Sequence, residues 1–479
     1  MLSSRNAIVA KSNIGLLPFC ISEDGTVSEI DCSGVVDGYL EITFPDFTKD
    51  IEQLEFSEDV KRVKFICHSP QLRNISSLFK DAYMVEEVDL SEFNLKTVMY
   101  ASELFENCEQ LVKINFGKQI FENLILFDYA FHCCSGLEHI SLDFLRSPYL
   151  TRLDNLFREC TSLLSVDLSN MISTKVNDIT NLFLNCSLLR DIKFPKKFCP
   201  NLETADGAFM GTNLRTLDLR CISFEYTTNM NSLCAECMSL EEVIIDFSKA
   251  NSVYYMNNAF FMCTDLWSVE LINFNPKNLE FAQCFFESCK SLSNIDLHEF
   301  TGEAIKNMDN FCNNCVNLED INLSSFSPNH IETIKHMFDN CLSLHEIKFK
   351  LPSNILIDMS STFANCINLN SLEILCDGEI TPSSVTGCFY KCESLESLDL
   401  SNFYFYKGVK MTDTFFDCPY RENFKLNTRF FAVKKLLKHE CEEHDFYSVF
   451  DIVDSTTEDW THEDLLEASK YFYIQGFYP

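Results

Sequence analysis

Along most of the chain the apolar residues fall into one short frame that returns at a nearly constant interval. In Leu156-Phe157-Arg158-Glu159-Cys160-Thr161-Ser162-Leu163-Leu164-Ser165-Val166-Asp167-Leu168-Ser169, an aromatic residue stands three before a cysteine and a leucine three after it. The unit closes on Val166 and Leu168, apolar positions separated by a polar one, which is the period of a half-buried strand. The stretch leading to the next aromatic, Val176-Asn177-Asp178-Ile179-Thr180-Asn181-Leu182-Phe183, spaces its apolar residues three and four apart. That spacing predicts a helical or 3₁₀ turn facing the core. Each repeat is expected to be one short strand plus one short helical turn.

The interval is read from the cysteines: Cys108, Cys134, Cys160 and Cys186 follow one another at a constant step of 26. Thr212 takes the slot next, then Cys237, Cys263, Cys289, Cys315, Cys341, Cys366, Cys392 and Cys418, every step being 26 except two of 25. Ala82 lies one such step before Cys108. A unit this small cannot bury its apolar edge alone, so about fourteen of them must stack. The predicted fold class is an α/β repeat solenoid, a right-handed, leucine-rich-repeat-like stack with its strands in one parallel sheet. Local kinks are expected at the repeat carrying Gly211 and Thr212, which loses a residue, and at the repeat of Cys366, which follows Pro352.

The frame resembles the BspA-like leucine-rich repeats and the closely related bacterial surface-protein repeat of similar length. Asp399-Leu400-Ser401-Asn402-Phe403, Asp167-Leu168-Ser169-Asn170 and Asp128-Tyr129-Ala130-Phe131 are among the best matches, and the resemblance spans roughly residues 75 to 420. Members of that family are often surface or adhesive proteins. The resemblance therefore implies binding, and it supplies no catalytic residues.

An array needs polar-faced caps. Residues 1–75 keep strand-like pieces such as Tyr39 to Phe44 and Val60 to Phe65 without the Phe-x-x-Cys element, and are expected to form an N-terminal cap of degenerate repeats. The solenoid is assigned to 76–419. From residue 420 to 479 the spacing turns helical over Phe430 to Leu437 and Phe446 to Val453, and Thr461 and Asp464 are placed to cap a further helix, so a helical C-terminal cap is expected.

Composition agrees with repetition: the 44 Phe against 2 Trp indicate one aromatic type filling equivalent core sites. The formal charge of −33 repels phosphate backbones and anionic lipid, which argues against nucleic acid and membrane surfaces as partners. No apolar run approaches the ~20 residues needed to span a bilayer. Met1 to Cys20 has no secretory-signal pattern, and with its free-cysteine usage the chain is expected in the cytoplasm.

Twelve of the 24 cysteines occupy the repeat slot, where Ala82 and Thr212 substitute, so they are expected to be buried, reduced and structural. Cys234/Cys237 and Cys312/Cys315 form Cys-x-x-Cys pairs, but each first cysteine replaces a core aromatic or leucine and each second is a slot cysteine. The segment His439-Glu440-Cys441-Glu442-Glu443-His444 sets its histidines five apart, ~500° around a helix, and fails as a zincin motif. No glycine-rich phosphate loop or Gly-x-Ser-x-Gly element occurs. Catalytic residues, cofactors and metal ligands are accordingly not expected.

What remains is the outward strand position between the Ile/Val and the second Leu. It reads Asp89, Asn115, Ser141, Asp167, Lys193, Asp218, Ile244, Glu270, Asp296, Asn322, Lys348, Glu373, Asp399, seven acids against two lysines, with Trp267 close to Glu270. Asp167, Asp218, Trp267, Glu270, Asp296, Glu373 and Asp399 are the candidate partner-binding residues, and the face suits a basic protein. The reading is a non-enzymatic interaction scaffold; the alternative is a structural component in which the solenoid is a spacer and the C-terminal segment makes the contacts.

Overall fold

The computed structural model describes residues 19–405 and 409–418, together with the strands Lys11–Ser12, Gly15–Leu16, Phe424–Asn427 and Asp451–Val453. The fold is a parallel β-solenoid of about fourteen turns. It divides into two compact units, residues 1–215 with 219–229 and residues 216–218 with 230–479.

In the first unit the strands Tyr39–Thr43, Arg62–Cys67, Glu87–Phe93 and Lys113–Asn115 pair in parallel, as do His139–Ser141, Ser165–Asp167 and Asp191–Lys193. A hairpin of Phe19–Ile21 and Thr26–Ile30 precedes them and is antiparallel. In the second unit Thr216–Asp218, Glu242–Asp246 and Ser268–Ile272 form one sheet, and Asn294–Asp296 pairs with Asp320–Asn322. Glu346–Lys350, Ser371–Leu375 and Ser397–Leu400 continue in parallel to Phe424–Asn427 and Asp451–Val453. The helical cap expected over 420–479 lies outside the described residues apart from these last two strands.

Two expectations are corrected. The single sheet is replaced by several short ones, in which many strands are only three residues long. The helical turn is also absent: among the described residues the only helix is the 3₁₀ turn Cys32–Gly34. The reason is a pair of left-handed residues in each corner, Asn155 and Glu159 at φ 56° and 60°, Asn181 and Asn185 at 54° and 60°, Asn310 and Asn314 at 58° and 61°. A residue at positive φ reverses the curl of the chain and prevents a right-handed helix from starting.

The corner satisfies its backbone in another way. The N–H groups of Leu156, Arg158 and Cys160 bond locally to the carbonyls three residues back, while those of Asn155, Phe157 and Glu159 reach Thr180, Leu182 and Leu184 of the next repeat at 2.8–3.0 Å. Alternate donors thus close the turn and join the stack, and no amide is stranded in the core. The slot cysteine adds a third bond. Cys186 Sγ donates to the Phe157 carbonyl at 2.9 Å, and Cys160, Cys289 and Cys392 do the same to Phe131, Phe260 and Phe363 at 3.0–3.1 Å.

Inside, Phe79, Phe105, Phe131, Phe157, Phe183 and Phe209 stack with centroids 5.2–5.9 Å apart and planes within 27°. Phe338, Phe363, Phe389 and Phe415 form a second such column in the other unit. Cys312 stands in the column position there, and the neighbouring Phe311 packs edge-on to Phe286 at 5.7 Å. The shortened repeats behave differently from each other. The residue missing after Thr212 falls between the slot and Leu217, where the chain divides into its units. That missing before Cys366 falls in the loop, where Leu356–Asp358 pairs with Thr381–Ser384 through a register irregularity.

Asn340, at φ 61°, should tolerate glycine within ~0.5 kcal/mol, whereas valine there should cost ~1–2 kcal/mol in chemical denaturation; equal stability of the two variants would contradict the corner argument. Burial raises the thiols of Cys108, Cys134, Cys160 and Cys186 well above their ordinary range. Thiol labelling of the native chain at pH 8 should therefore leave the slot cysteines unmodified until denaturant is added, and rapid native labelling of most of them would refute their structural role.

Candidate binding face

Each strand presents its outward side chains on a fixed frame. In the first unit Ser141, Asp167 and Lys193 are neighbours in register. In the second, Asp218, Ile244 and Glu270 are neighbours, as are Asp296 with Asn322 and Lys348 with Glu373. The residues beside them, Val166, Leu217 and Ile295, are buried, so the alternation places the candidate acids outward. Asp167 belongs to the first unit, and Asp218, Trp267, Glu270, Asp296, Glu373 and Asp399 to the second. Trp267 is 55% exposed immediately ahead of the strand that carries Glu270.

The acids are not a bare row of charge. Lys193 lies 3.8 Å from Asp167, Lys348 lies 2.6 Å from Glu373, and His298 lies 3.0 Å from Asp296. There is also a backbone reason for the residue type. Asp89, Asp167, Asp296 and Asp399 each accept the N–H two residues on at 2.8–3.1 Å, and Asn115 and Asn322 do so at 3.0 and 3.2 Å. This Asx turn ends the strand at Asn115, Asp167, Asp296 and Asn322, whereas Asp89 makes it inside the longer strand Glu87–Phe93, and it needs a short side-chain oxygen, charged or not. Hydrogen bonds from Ser169, hydroxyl first and backbone second, hold the Asp167 carboxyl below the usual range. The sequence signal was Asp or Asn at this register, followed two residues later by Ser at Asp89, Asp167, Asn322 and Asp399; charge alone concealed it.

Glu270 and Glu373 lie outside that turn chemistry, because their longer side chains do not make it. On the side of Lys348, where the three-residue strand Asp320–Asn322 stands beside the five-residue strand Glu346–Lys350, a cleft of about 490 Å³ opens. Phe326, Ser324, Lys348, Lys350 and Leu375 line it. Sequence reasoning missed this cleft, since it comes from unequal strand lengths in adjacent turns.

The cysteine pairs sit in the core. Cys234, Cys237, Cys312 and Cys315 are all buried, and the Cys234 and Cys312 carbonyls accept the thiols of Cys263 and Cys341. The His439 to His444 segment lies outside the described residues.

The sequence profile of the BspA type leucine rich repeat region matches residues 37–138, 125–234, 227–370 and 308–430, with six copies. Among solved structures, the chain is similar to a leucine-rich repeat protein from Bacteroides ovatus, at 17% identity over 83% of this chain and 89% of that one, with a TM-score of 0.41. It is also similar to a leucine rich cell surface protein from Faecalibacterium prausnitzii, at 17% identity over 74% and 92%, TM-score 0.35. A third is the pneumococcal vaccine antigen PcpA, at 15% identity over 90% and 94%, TM-score 0.30. No curated protein sequence matches the chain.

The turn argument is checked at Asp167. Asp167→Asn keeps the acceptor for the Ser169 N–H and should leave stability within ~0.5 kcal/mol, whereas Asp167→Ala should lose ~1 kcal/mol. Equal losses would mean that charge, not turn geometry, matters at this position.

Proposed function

The chain belongs to the BspA-type leucine-rich repeat family, and from that premise we propose that it is a non-enzymatic scaffold that binds a protein partner through the outward strand face. One observation carries the reading. The backbone beneath the face is held by the same inter-repeat bonds turn after turn, while the side chain on it changes from Asp to Ile to Glu within a single sheet. A constant frame with variable outward residues is the arrangement of a recognition surface, because its specificity changes by substitution without refolding.

The partner contact is centred on Trp267 and Glu270. The tryptophan supplies exposed aromatic area, the residue type that most often anchors interfaces. Glu270 and Asp296, with a chain charge of −33, favour a basic protein surface over a nucleic acid. The aspartates of the Asx turns contribute charge secondarily, since their first duty is to the backbone.

The triple variant Trp267→Ala, Glu270→Gln and Asp296→Asn removes the anchor and two charges while keeping the turn at position 296. Crosslinking from native cells should recover the partner with the parent chain and at least about tenfold less with the variant, while the melting temperature moves by no more than ~2 °C. For the parent, recovery should fall as salt rises. Undiminished recovery by the folded variant at low salt would place the contact elsewhere.

A further inference from the structure

One corner of the first unit carries chemistry that its equivalents lack. Cys133 is not a slot cysteine: it precedes the slot residue Cys134, whose thiol is committed to the Phe105 carbonyl at 3.1 Å. At the equivalent position other repeats have Asn107, Asn185 and Asn314, all with positive φ as Cys133 has. His132 stands beside it, and the stacking places Glu159, one full repeat further along the chain, against both. One nitrogen of His132, the sulfur of Cys133 and one carboxylate oxygen of Glu159 lie within 4.8 Å of one another. Among the described residues no other three His, Cys, Asp or Glu side chains meet this way.

The surroundings orient these groups. The Arg158 guanidinium holds Glu159 Oε1 at 3.2 Å, which leaves Oε2 facing the Cys133 thiol at 3.6 Å. Glu106 Oε1 lies 3.1 Å from His132 Nδ1, and Lys80 secures the other Glu106 oxygen at 2.7 Å. A carboxylate on one imidazole nitrogen fixes the tautomer and frees the other nitrogen for a ligand role. The three side chains are half-buried, so they are shielded from water yet reachable.

From this geometry we propose that His132, Cys133 and Glu159 bind a zinc-type divalent cation, with Glu106 positioning the imidazole. A tetrahedral zinc with bonds of ~2.0–2.3 Å sets its ligands ~3.4–3.8 Å apart. Cys133 and Glu159 already have that separation. The mixed nitrogen, sulfur and oxygen set selects a borderline-soft ion, since calcium and magnesium take oxygen alone. Three protein ligands leave a fourth position for water. Binding converts the Cys133 thiol to a metal-bound thiolate, and its proton leaves to solvent. Affinity should consequently rise about tenfold per pH unit while one thiol proton is released. No local motif marks the site, because its third ligand is one full repeat away, and the sequence led to an expectation of no metal.

The test uses the full chain, reduced and stripped of metal, titrated with Co²⁺ at pH 8 and then with Zn²⁺. One equivalent of Co²⁺ should bind with a near-ultraviolet thiolate-to-cobalt band that Zn²⁺ abolishes. Cys133→Asn places the residue other repeats use at this corner, so the fold should persist while the band vanishes. His132→Ala and Glu159→Gln should each weaken binding at least about tenfold, and Glu106→Gln by about tenfold as a positioning residue. No band with the parent chain, or a band and affinity unchanged in Cys133→Asn, would overturn the proposal.

Discussion

The structure depends on how each corner divides its backbone donors. Two left-handed residues, four apart, let alternate N–H groups close local turns while the others reach the next repeat, as at Asn155 to Cys160. A helix would have used every donor within its own repeat and left neighbouring turns joined by side chains alone. The chosen arrangement costs ~1 kcal/mol or more at each non-glycine left-handed residue, and it is offset because every repeat contributes bonds to its neighbour. Asparagine, which tolerates this conformation better than most residues, recurs at these positions for that reason.

Once the corners stack, equivalent side chains superpose, and their chemistry becomes columnar. Phenylalanines meet face to face at 5.2–5.9 Å in the first unit. Slot thiols meet the carbonyl of the aromatic residue one repeat earlier, which already accepts the local turn N–H. Cysteine is therefore small enough for the slot and also a donor, a combination that threonine reproduces and alanine does not. The column is forgiving: where Cys312 removes a ring, Phe311 and Phe285 fill the space from the adjacent position at 5.2 Å from each other.

The same superposition separates obligation from freedom on the surface. Asp167 and Asp399 serve their Asx turns, and Asn322 serves the same purpose without charge. Trp267 and Glu270 have no such duty in the strand and give the face its character. At the corners, Asn107, Asn185, Asn314, Asn340 and Asn365 stand where one repeat has Cys133, and in that repeat His132 precedes it. A single substitution on a repeating frame thus creates chemistry that its neighbours lack.

Sequence pattern alone yielded the period, the strand of each repeat and the inward or outward direction of its residues. Those properties follow from spacing along one chain segment: Val166 and Leu168 alternate with Asp167 whatever lies beside them. It misread the corner, because apolar residues three and four apart suit a helix and a stacked turn equally, and only the neighbour's carbonyls decide between them. The acidic row looked like a charge pattern, since the bond from the Ser169 N–H to the Asp167 carboxylate exists only once the strand ends there. The break into short sheets, the cleft beside Lys348 and the meeting of His132 and Cys133 with Glu159 belong to the tertiary structure alone. Each depends on how one turn lies against the next, a relation between positions a whole repeat apart that no local pattern specifies.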